Sequence, residues 1–181
     1  MDYAEDGDLR KYMNSNYEAL TCNDKLKYLF NIIDGLNKIH SEEFVHRDFH
    51  PGNILIMKTA QIADFGLTGP ADIEKTNQKI CGVLPYMSPE VLNGRPYTKA
   101  ADIYSFGMIT YEVVTGERPF GERSHDIHLV CDIFDGVRPK ISNNVPKLFK
   151  FIIEKCWDPI PENRPTAEEL EHFIWFICKT N

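Results

Sequence analysis

The chain has 181 residues, enough for one domain with a real core or for most of a larger one. It is 43% hydrophobic and 26% charged, and its net charge of −7 argues against a nucleic-acid or anionic-membrane partner. No apolar run reaches a membrane span, and the acidic start Met1-Asp2-Tyr3-Ala4-Glu5-Asp6 is unlike a signal segment.

Glu5-Asp6-Gly7-Asp8 reads as a turn, and Leu9 to Tyr12 as one or two helical turns. Thr21 is a candidate N-cap. Leu26, Leu29, Phe30, Ile33, Leu36 and Ile39 then recur at helical spacing, which predicts a long amphipathic helix ending near His40-Ser41. Val45-His46-Arg47-Asp48-Phe49-His50-Pro51-Gly52-Asn53 follows, setting an acid and then an amide in a tight turn between apolar runs. Ile54-Leu55-Ile56 and Gln61-Ile62-Ala63 read as short strands joined through Lys58-Thr59-Ala60, with a second acid at Asp64-Phe65-Gly66. Residues 67–85 lack periodicity and read as a loop ending in Tyr86-Met87-Ser88-Pro89-Glu90.

Tyr97 to Thr115 is apolar on nearly all sides, which predicts a buried central helix stopped by Gly116. Helices are expected at roughly 124–134 and 146–156. Thr166 and Glu169 form a capping box for a last helix with Leu170, Phe173, Ile174 and Ile177 on its inner face. The five cysteines are odd in number and contain no C-x-x-C pair, which argues against zinc. They read as reduced thiols of a cytoplasmic protein, Cys156 and Cys178 on helical core faces.

In this order, H-R-D and Asn53, D-F-G, S-P-E, Asp102-Ile103-Tyr104-Ser105-Phe106-Gly107 and Arg164-Pro165-Thr166 resemble eukaryotic protein kinases, nearest the tyrosine-kinase-like group. The resemblance implies a mainly α (α+β) fold, the larger lobe of a kinase with a few short strands around the catalytic loop. It implies ATP and Mg2+ as cofactors and a protein substrate. Asp48 would accept the proton of the substrate hydroxyl, while Asn53 and Asp64 would hold magnesium through hard oxygen ligands. His50, in the same loop, is counted with Asp48 and Asn53 as a catalytic residue on this resemblance. Met1 stands at the gatekeeper position, the backbone of Asp2 and Ala4 would face adenine, Asp8 would reach the ribose, and Leu55 would floor the adenine ring. Taken alone, Glu5 to Asp8 is equally an acidic surface turn, and Asp48 a turn-capping acid.

The resemblance also makes His46 a packing residue against Phe65 and Arg47 a partner for a phosphate on the activation loop, with Thr68 and Thr76 as candidate acceptors. Asp102 would brace the catalytic loop through backbone N–H groups, and Glu90 with Arg164 would form a buried ion pair.

The sequence departs from the family pattern in several places. No glycine-rich phosphate loop, strand lysine or partnering helix glutamate occurs in it, so residues 1–181 read as a partial kinase domain, hinge plus larger lobe with the smaller lobe absent. Its lobe-facing surface should then be an exposed apolar patch. His50 stands where serine/threonine kinases carry a lysine, Gly52 where tyrosine kinases carry an arginine, and Val83 where a threonine is common. The alternatives are a non-catalytic pseudokinase acting as a binding module, and a phosphotransferase of the aminoglycoside or choline type, suggested by His-Pro-Gly-Asn after H-x-D.

Overall fold

A computed structural model describes residues 7–71 and 82–180. Met1, Asp2, Ala4, Thr76 and Cys81 lie outside them.

Helix α1 (Leu9–Asn16) starts where the Asp8 side chain accepts the Lys11 N–H at 3.0 Å. Helix α2 (Cys22–Ser41) opens on a capping box: Thr21 accepts the Asp24 N–H, and the Asp24 carboxylate accepts the Thr21 N–H. Its stripe of Leu26, Leu29, Ile33 and Leu36 is buried, as its periodicity predicts.

Four short strands follow. Strand β1 (Phe44–Val45) precedes the His46–Asn53 turn, and β2 (Ile54–Ile56) pairs antiparallel with β3 (Ala60–Ile62). Strand β4 (Gly69–Pro70) returns to pair with β1, Val45 opposite Gly69. The β1–β4 pair was not expected: strands of two residues carry no readable alternation, and their partners are distant in sequence.

Helix α3 (Pro89–Leu92) leads into α4 (Lys99–Thr115), which is buried continuously from Ala101 to Val114. Gly116 ends α4 in the left-handed region (φ 73°), its N–H returning to Glu112 O at 2.9 Å. Helices α5 (Ile127–Phe134), α6 (Lys147–Cys156) and α7 (Ala167–Thr180) complete the chain.

The core is helix on helix: α4 packs on α6, and α2 packs on both α7 and α4. Gly107 marks the closest approach of α4 to α6, since a Cβ there would lie 2.7 Å from Cys156 Cβ. Cys156 is buried and Cys178 packs at the core margin. The capping box of Thr166 with Glu169 forms as expected.

Phe173 does not behave as predicted. It is 37% exposed and packs on Phe151, with ring centroids 5.6 Å apart. The buried line of α7 runs through Ala167, Leu170 and Ile174, which leaves Phe173 at its edge.

Candidate functional site

The site is built on the turn between β1 and β2, and its backbone is held from below. Asp102, in the first turn of α4 and 2% exposed, accepts the His46 N–H at 2.7 Å and the Arg47 N–H at 3.1 Å. His40 Nε2, at the end of α2, lies 3.0 Å from the same carboxylate. The expected brace is therefore present, with His40 as a member that the sequence reading passed over. The signal was available: His40 continues the buried stripe one helical turn beyond Leu36, where a polar side chain needs a partner.

His46 is fully buried. Its Nε2 lies 3.1 Å from Ala63 O and its Nδ1 accepts the Asp48 N–H at 3.4 Å. Its ring packs against Phe49 and Phe65 at 5.4 and 5.8 Å between centroids. It is an internal support, as expected from the resemblance.

Asp48 and Asn53 come together. Asn53 Nδ2 donates to Asp48 O at 2.9 Å and to Asp48 Oδ2 at 3.2 Å. The other carboxylate oxygen, Oδ1, is buried and lacks a hydrogen bond of normal geometry among the described residues; His50 Nε2 lies 3.5 Å from it. The neighbouring His50 holds the Asp48 carboxyl below its usual range, outweighing burial, and Asn53 adds to the effect. Asp48 is therefore an ionised acceptor near neutral pH.

Asp64 follows directly after the β2–β3 pair, where Ala63 N–H donates to Asn53 O at 2.8 Å. It lies in the left-handed region (φ 57°), and its Oδ1 accepts the Gly66 N–H at 3.3 Å. Arg47 also has positive φ (71°), so two of the non-glycine residues in this costly region flank the site.

The donor chemistry here fits magnesium. Because the Asn53 NH2 group is committed to Asp48, the amide oxygen is its available donor, and Asp64 adds a carboxylate. Among the described residues no group of three or more His, Cys, Asp or Glu could cage a metal. An amide and one carboxylate suit an ion whose remaining ligands come from phosphate and water.

Leu55 sits on β2 and forms an isolated antiparallel bridge with Asp8, and the Ile56 N–H bonds Gly7 O at 2.9 Å. Residues read as nucleotide contacts thus meet at one edge. The Asp8 carboxylate is engaged in capping α1 and pairing with Lys11 Nζ at 3.2 Å. Asp2 and Ala4 lie outside the described residues. Phe65 and Leu67, beside Asp64, are 54% and 41% exposed.

The Arg47 guanidinium donates to Pro70 O at 2.8 Å and lies flat against Gly69, where a Cβ would come within 2.8 Å of it. Thr68 Oγ1 is buried without a hydrogen-bond partner among the described residues. Glu90 and Arg164 form a bidentate pair at 2.6 and 2.9 Å, with the Arg164 side chain fully buried.

A second polar cluster was not foreseen. Arg10 of α1 donates through Nε to Glu112 Oε1 at 3.1 Å and through Nη2 to Tyr86 Oη at 2.8 Å, while Tyr86 Oη donates to the other Glu112 oxygen. The Tyr86 ring lies 6.2 Å from the His50 ring. Glu112, an acid within the apolar run of α4, was the available signal, since a buried carboxylate requires a cation.

A family model described as the protein kinase domain matches residues 1–176. The chain belongs to the protein kinase domain family. This kinase domain chain is 36% identical to a probable serine/threonine-protein kinase of Dictyostelium discoideum over 167 residues, 91% of this chain and 10% of the relative. A putative serine/threonine-protein kinase/receptor of Acanthamoeba polyphaga mimivirus is 35% identical over 98% of this chain and 11% of its own length. Mitogen-activated protein kinase kinase kinase 7 of Bos taurus is 31% identical over 99% of this chain and 32% of its own length. The chain therefore spans about a tenth to a third of the curated relatives it is similar to. No helix among the described residues is long and apolar enough to cross a membrane.

Proposed function

We propose that this chain carries the phosphoryl-transfer residues of an ATP-dependent protein kinase directed at serine or threonine. The observation that carries the reading is the ionised Asp48, tied to Asn53 on one oxygen and beside His50 on the other, on a loop braced by Asp102. The names of the serine/threonine-kinase relatives support the acceptor class. Tyr86-Met87-Ser88-Pro89-Glu90 and the Arg-Pro-Thr ending support the tyrosine-kinase-like group.

In this reading Asp48 takes the proton of the substrate hydroxyl and holds the oxygen in line for attack. Asn53 and Asp64 hold magnesium, which supplies charge neutralisation on the transferring phosphate when bound. Leu55 and Asp8, with the backbone of Asp2 and Ala4, form the nucleotide edge. Residues 1–181 are read as hinge and larger lobe, since they contain no glycine-rich loop or strand lysine. The free thiols Cys22, Cys131, Cys156 and Cys178 support a cytoplasmic location.

The test is phosphate transfer from ATP to a protein substrate by the protein as its gene encodes it. Asp48→Asn lowers kcat by roughly 10²–10⁴-fold with nucleotide affinity kept, the range for loss of a positioned base. Asp64→Asn removes magnesium-dependent nucleotide binding. Full activity in Asp48→Asn, or transfer to an aminoglycoside or choline in place of protein, overturns the reading.

A further inference from the structure

His50 and Gly52 were two separate departures from the kinase pattern, and the structure joins them. The Gly52 N–H donates to His50 Nδ1 at 3.0 Å, so that nitrogen is the acceptor of the ring. A neutral imidazole accepting at Nδ1 carries its proton on Nε2, and Nε2 is the atom 3.5 Å from Asp48 Oδ1. That oxygen is buried and has no hydrogen bond of normal geometry among the described residues, whereas Oδ2 already receives Asn53. The ring lies directly on the Gly52 backbone: a Cβ there would be 2.9 Å from His50 Cε1 and 3.0 Å from Nδ1. Gly52 does not have positive φ, so its lack of a side chain serves the contact and not the backbone.

We propose that His50 is a positioning residue for Asp48, fixed by the Gly52 N–H as an Nε2–H donor to Asp48 Oδ1. Where serine/threonine kinases place a lysine, this chain places an imidazole N–H that aims the carboxylate. Asp48 thus meets Asn53 on one oxygen and the His50 ring on the other, and catalytic contacts are often long before substrate binds. Gly52 is the partner that makes the grip possible. The inference rests on the reading of Asp48 as proton acceptor for its kinetic arm, and on geometry alone for its spectroscopic arm.

The experiment uses the protein as its gene encodes it and four variants: His50→Ala, His50→Gln, Gly52→Ala and the His50→Ala/Gly52→Ala pair. The imidazole is the movable partner, so Gly52→Ala displaces the ring and leaves the fold intact. His50→Ala and Gly52→Ala each lower kcat by roughly ten- to a hundredfold, the size of a lost hydrogen bond to a charged group, with KM for ATP unchanged. The double variant is no slower than either single one. His50→Gln, whose amide nitrogen is three bonds from Cβ like Nε2, restores most of the rate.

Multiplicative losses in the double variant, full activity in Gly52→Ala, or no rescue by Gln overturns the proposal. Histidine-selective ¹⁵N resonances, with His50→Gln identifying the signal, read the tautomer directly. An unprotonated Nδ1 that changes state in Gly52→Ala supports it, and a proton on Nδ1 overturns it. If the wild-type protein transfers no phosphate at all, the functional reading fails while the resonances still judge the His50–Gly52 device.

Discussion

Asp102 accepts two backbone N–H groups and meets His40, so replacing it strands a buried donor at His46 and a part-buried one at Arg47. Each buried unsatisfied group costs about 1–3 kcal/mol, which puts Asp102→Ala at roughly 3 kcal/mol or more of unfolding free energy. Denaturant titration measures the loss, and kcat falls with it because His46 and Arg47 lead directly into Asp48. The acids and the amide of this site were singled out because the order of motifs resembles that of protein kinases. His40 and Gly52 were not, because their roles depend on where other elements place Asp102 and His50.

Helix α1 reaches the far side of the site through Arg10. Removing that side chain leaves the Glu112 carboxylate, with a side chain only 6% exposed, beside Tyr86 without its cation. Arg10→Ala should therefore loosen Tyr86 and raise KM for the protein substrate by about tenfold, with KM for ATP less affected, in steady-state kinetics. Between α4 and α6 the constraint is steric. Gly107→Ala drives a methyl against Cys156 Cβ and should cost about 1–3 kcal/mol in thermal or denaturant unfolding, relieved in part by Cys156→Gly. The long helices were legible because α2 shows the helical period and α4 is apolar all round, which only a buried helix tolerates. Of the short strands, β2 and β3 were legible from their apolar runs, whereas β1 and β4 were not, since two residues carry no period. Phe173 was misplaced because its spacings from Leu170 and Ile177 fit the stripe, while it lies about 100° round the helix from the buried Ile174.

Arg164 ties distant parts of the chain into one body. It pairs with Glu90 in α3, donates to Ala100 O at 2.9 Å and to Asp158 O at 2.8 Å, and lies over the Tyr104 ring. Burial alone would raise the Glu90 carboxyl, but the Arg164 bonds and charge outweigh it and hold the group below its ordinary 4.5. A carboxyl depressed in the folded state stabilises fully above its unfolded value and loses that stability as pH falls through the folded one. Unfolding free energy should thus hold from neutrality down to about pH 5 and then decline. Glu90→Gln should cost about 3–5 kcal/mol at pH 7, leaving a buried unpaired guanidinium, and its gap from wild type should narrow in acid. The family was legible across the chain because its motifs are spread from Asp48 to Arg164, whereas the contacts that join them appear only in three dimensions. The grip of α4 on the catalytic turn has a further consequence, for isotope exchange. Loop amides ordinarily trade hydrogen for deuterium quickly, but those of His46 and Arg47 are locked onto a helix buried along its length. They should exchange as slowly as the amides inside α4 itself, opening only when the whole domain does.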